Sequence, residues 1–215
     1  MGIQINQYPL TATDVNNEDF YDVDQWNGTS YESKKISGAT LKNIITGGLF
    51  AQTGNSTAIT ATTTAGTLID GGVGTLSVPA NGFKVGDSFR VDMGGLITAK
   101  NNDTLKITLK SGSVVLADSA LMVMPTISSP QVWHLSVNFT VRALGAAGTA
   151  SIVTIAQFHI LKFASGTQEG FAWNTVNNTT FDTTTGNTLD IVAKWSSNSA
   201  LNSIYSDIFV LNKIY

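Results

Sequence analysis

The chain contains no cysteine, so disulfide scaffolds, thiolate zinc sites and cysteine nucleophiles are excluded. Histidine occurs twice and proline four times, and charged residues make up only 13% of the 215 positions, about half the ordinary share of roughly 25%. The net charge is -3 with no basic run. Neutralising phosphates needs clustered Lys and Arg, so a nucleic-acid partner is excluded on electrostatic grounds. No apolar stretch approaches the roughly 18 residues of a membrane span, and Met1 to Asn6 has neither a charged start nor an apolar stretch of signal-peptide type. The expectation is synthesis in a cytoplasm without secretion or membrane insertion.

The missing charge is replaced by Ser, Thr and Asn, which together fill about 30% of positions. Their short polar side chains compete for backbone hydrogen bonds and are poor in helix interiors, so the composition predicts strands and loops.

Three sections differ in texture. In residues 1–48, Phe20–Gln25 and Ser30–Ile36 flank Asn27-Gly28, a dipeptide suited to tight hairpin turns. This predicts a hairpin with its acidic strand facing Lys34 and Lys35. Ser37 then stands as an N-cap before Leu41, Ile44 and Ile45 at helical spacing, with Gly47-Gly48 as a stop. A short amphipathic helix is predicted, too short to be stable without a partner surface. Residues 49–74 form a Gly/Thr/Ala/Ser tract of low complexity, expected to be a linker or a stalk held by neighbouring chains.

Residues 75–215 contain the core-forming domain, with eight strand-like runs between turn residues, which predicts a mainly β, antiparallel sandwich. In Val132 to Arg142, Trp133, Leu135, Val137, Phe139 and Val141 share one face, and His134, Ser136, Asn138, Thr140 and Arg142 share the other. From Ile152 to Phe163 both faces are largely apolar, so this strand is expected to be buried on both sides. An oligomer interface containing Ile155, His159, Leu161 and Phe163 would bury the second face. The last run, Ile204 to Ile214, alternates as well and needs covering.

Signatures of chemistry are thin. Asp22 to Gly28 departs from the calcium-loop pattern by one inserted residue, with Glu32 at the wrong distance. His134 and His159 have no neighbouring ligand in sequence, and no nucleophile elbow, phosphate-binding glycine loop or zinc-protease helix motif occurs. No catalytic, cofactor or metal site is read. Trp173 with Asn174 is the candidate glycan contact, an aromatic ring beside polar groups; its alternative is a tryptophan filling the core under a long loop.

Pro9 to Asp14, Asp19 to Val23 and Tyr31 to Lys42 together resemble the N-terminal anchoring segment of bacteriophage fibre and virion structural proteins. Leu76 to Val91, Val141 to Thr149 and Asn187 to Trp195 resemble the C-terminal domains of the same proteins. The resemblance implies a non-enzymatic, homotrimeric knob of jelly-roll type in the virion. Its N-terminal segment, with Tyr21, Val23, Ile36, Leu41, Ile44 and Ile45 as docking residues, would attach to a capsid, portal or tail protein. Such a knob can also grip a host-surface glycan. The chain lacks a long repetitive shaft, which suits a short head fibre or decoration spike.

Overall fold

The computed structural model describes residues 20–26, 29–37, 48–162 and 166–215. The chain divides between Gly47 and Gly48 into two compact units. In the first, β1 (Phe20–Trp26) pairs antiparallel with β2 (Tyr31–Ser37), and the register sets Asp22 opposite Lys35 and Tyr21 opposite Ile36. The expected hairpin forms, with the acidic strand against the lysine pair. The predicted helix at Leu41, Ile44 and Ile45 lies outside the described residues.

The second unit contains β3 (Gly48–Gln52), β4 (Ile59–Thr60), β5 (Gly66–Thr67), β6 (Gly72–Gly74), β7 (Ser77–Val78), β8 (Ser88–Ala99), β9 (Thr104–Ser111) and β10 (Val114–Asp118). These are followed by β11 (Met122–Val123), β12 (Ile127–Ala143), β13 (Ser151–Leu161), β14 (Gln168–Asn177), β15 (Asn187–Trp195) and β16 (Ser203–Lys213). The larger sheet has the order β14-β13-β12-β8-β16-β3-β6, with β4 added on β16. The smaller runs β10-β9-β15-β5, with β11 on β9 and β7 on β15. All pairs are antiparallel, the chain crosses repeatedly from one sheet to the other, and no helix occurs among the described residues. The fold is an antiparallel β-sandwich.

Its core follows from the period-two pattern. Trp133, Leu135, Val137, Phe139 and Val141 of β12 are buried, while His134, Asn138 and Arg142 are exposed. Trp133 donates its Nε1–H to the carbonyls of Leu96 at 3.2 Å and Tyr205 at 3.1 Å, so one side chain ties β12 to two further strands.

Three expectations are corrected. Residues 49–74 are not a connector outside the domain: β3, β4 and β6 belong to the larger sheet and β5 to the smaller. Leu68 is fully buried and donates its N–H to Ile191, and Ser206 donates its hydroxyl to the Leu68 carbonyl. Small residues fold here because a preformed sandwich supplies the buried surface that they cannot supply for themselves. Secondly, the loop expected around Trp173 is a strand, β14, paired with β13 along its whole length. Thirdly, a bulge between Ser206 and Ile208 resets the alternation of β16. Ile204 and Ser206 point inward before it, and Phe209 and Leu211 after it, which leaves Ile208 exposed.

Candidate functional site

The surface that stands apart is the outer face of β12, β13 and β14. On β13, Ile152, Thr154, Ala156, Phe158 and Ile160 are buried against the smaller sheet, so Val153, Ile155, Gln157, His159 and Leu161 look outward. Ile155 is 54% exposed and lies between Asn138 and Asn174, its register partners on the flanking strands. Val153 is opposite Val176, itself 54% exposed. Three branched aliphatic side chains thus gather beside neutral Asn and Gln. Desolvating this surface buries no charge at its centre, which removes the largest cost of forming a contact.

The charged groups lie to one side. Arg90 and Asp92 on β8 pair at 2.8 Å, with the His134 imidazole 3.9 Å from the Asp92 carboxylate. His134 and His159 are register partners, flanked on the same row by Gly94 and Gly170. The two histidines that were remote in sequence are therefore neighbours in the sheet. They gain no third ligand: among the described residues no group of three metal-binding side chains assembles.

Of the residues assigned to a subunit interface, Ile155, His159 and Leu161 do share one face, with the last two half-buried. Phe163 lies outside the described residues. The expectation that β13 is covered on both sides is not met within one chain, because the Ile155 side is open. Tyr21, Val23 and Ile36 lie on the hairpin, where Tyr21 and Ile36 are opposed and Val23 faces Lys34. Leu41, Ile44 and Ile45 are outside the described residues.

Trp173 and Asn174 do not form a joint platform. As consecutive residues of a strand they point to opposite sides of the sheet: Trp173 packs against the core, and Asn174 is exposed beside Ile155. Val176 is the member of this surface that sequence reasoning missed. The available signal was the alternation Phe171, Trp173, Thr175 against Gly170, Ala172, Asn174, Val176, hidden because the inward set includes a threonine and the outward set is small or polar.

Away from this face, Asp103 is tuned by its surroundings. Asp103 accepts hydrogen bonds from the Ser197 hydroxyl and the Asn202 side-chain amide, which together hold its pKa below the usual carboxylate value; burial opposes them and Lys100 assists. Asn202, fully buried, also accepts the Lys100 N–H at 2.9 Å, so the cluster joins two loops. A carboxylate whose folded pKa is depressed contributes stability that is present above its unfolded value and is lost as pH falls through the folded one. Asp103→Asn should therefore lower the urea midpoint near neutral pH, and its difference from the parent chain should shrink as the pH falls below about 3.8. A difference that stays constant across that range contradicts this assignment. The cluster is a loop fastener.

No family model, curated protein or solved structure matches this chain. The functional reading therefore rests on the residues themselves.

Proposed function

We propose that this protein is a structural component of a bacteriophage virion, a homotrimeric β-sandwich knob whose subunits meet through the outer face of β12, β13 and β14. The observation that carries the reading is the aliphatic cluster of exposed Ile155 and Val176 with half-buried Val153, on a sheet face without a charge at its centre. A face of this kind is stabilised by being covered, and a closed ring of identical subunits covers it without leaving an open end. Residues 1–47 serve as the attachment segment to a capsid, portal or tail protein, supported by their resemblance to virion anchoring segments and by their separation as a compact unit. The carbohydrate-binding alternative loses its main support, since the Trp173 ring packs against the core.

Light scattering on the purified full chain tests the assembly. The expected mass is about 68 kDa, three times the 22.7 kDa chain. The Ile155→Asp variant should run as a folded monomer, because a carboxylate placed at the centre of the covered face would be desolvated without a partner. A parent chain that is monomeric at micromolar concentration, or an Ile155→Asp variant that remains a trimer, overturns the assignment of this face. Labelled protein located on imaged particles tests the virion assignment separately.

A further inference from the structure

The two sheets do not close completely at one end of the sandwich. A cavity of about 160 Å³ lies between them, walled by the rings of Phe83, Phe89, Phe139 and Phe181 together with Ile152 and Leu189. The rings brace one another: Phe83 is edge-on to Phe89 and Phe181, and Phe89 stacks on Phe139 with centroids 5.1 Å apart. Interlocked aromatic walls resist collapse into the space they surround.

Polar groups at the wall are already engaged. The Ser77 and Thr188 hydroxyls pair at 2.8 Å, Ser111 accepts the Thr188 N–H, and Asn187 donates to the carbonyls of Asp182 and Thr185. Asp87, buried, accepts the Lys84 N–H on one oxygen and the Lys213 ammonium on the other, each near 2.8 Å. A water needs two to four polar partners to occupy an interior site, and most of the polar groups at this wall are already paired with one another. The lining thus favours an apolar occupant, and the volume is close to the roughly 150 Å³ that holds one benzene ring. Leu49, Leu76 and Val78 also line the cavity and are only half-buried, which leaves a way in past the two-residue strand β7.

We propose that this cavity is a binding site for a neutral, apolar molecule about the size of one aromatic ring. Neutrality follows from the charge at the wall, since Lys213 and Asp87 balance each other and leave no net field for an anion. The site is distinct from the Ile155 face and does not depend on the trimer.

Benzene is the probe, added to the full-length protein with methyl-labelled Leu and Ile and followed by NMR. Saturable shifts are expected at Leu49, Ile152 and Leu189, with the melting midpoint raised by about 2–4 °C at saturation. Benzoate should produce neither effect. Ile152→Phe, which fills the cavity from within, should abolish the shifts while the spectrum stays that of a folded domain. Should that variant fail to fold, Val78→Trp blocks the entrance and carries the same expectation. Absence of saturable shifts in the folded parent chain, or undiminished shifts in either folded variant, overturns the site. Equal binding of benzoate overturns the neutral-ligand assignment.

Discussion

Gly95→Ala should destabilise the sandwich by about 4 kcal/mol or more, an effect at the extreme of single substitutions. Gly95 lies in the middle of β8, opposite Ser206 at the bulge of β16. A Cβ there would stand 2.1 Å from the Tyr205 carbonyl oxygen, 2.7 Å from the Ser206 Cα and 3.0 Å from the Asp207 nitrogen. All three are backbone atoms, so no rotamer change relieves the collision. The Tyr205 oxygen is also an acceptor for the Trp133 indole. Moving it would open the β8–β16 ladder and unseat a buried tryptophan together. Gly186→Ala is the control, because nothing lies within 4 Å of a Cβ at that position; its change should stay within about 0.5 kcal/mol. Urea midpoints for the two variants decide the matter. A Gly95→Ala protein as stable as Gly186→Ala would mean that β16 carries no such bulge.

The same bulge explains one limit of reading this sequence. Strict alternation from Ile204 to Tyr215 puts Ile208 on the face of Ile204 and Ser206, yet one inserted residue at Asp207 moves Phe209 and Leu211 to that face. Nothing in the β16 residues announces the insertion; the space for it is provided by Gly95 on another strand, far away in the chain. By contrast, β12 was legible because its large buried side chains sit at every second position with polar ones between, and β13 because it is an apolar run on both faces. The mainly β fold class could be read from such runs and the turn residues between them, and so could the apolar character of the face at Ile155. Val176 could not, since β14 earns its strand from its pairing with β13 rather than from its own apolar content.

Residues 49–74 failed to read as part of the domain for a related reason, and Trp195 shows what holds them. Its ring is fully buried, and its Nε1–H donates to the Ile59 carbonyl at 3.1 Å, across 136 positions of sequence. Ile59, also buried, pairs with Ile204 and sits where a side chain at Gly66 would strike it. Trp195→Ala is therefore expected to cost about 3–5 kcal/mol, the usual range for removing a large buried aromatic. Trp195→Phe keeps much of the ring but leaves the Ile59 carbonyl without its donor, for an expected loss of about 1–3 kcal/mol. The two variants should also differ from a surface substitution in where protease cuts them. If the 53–66 segment is fastened through this indole, both variants gain early cleavage within it while the parent chain resists. A free stalk would predict the opposite: the segment would be cut at the same rate in the parent and the variants, and the remaining domain would melt unchanged after the cut. Early cleavage confined to the tryptophan variants would establish that the low-complexity tract is a structural layer of the sandwich, fastened in part by a tryptophan that the tract itself does not contain.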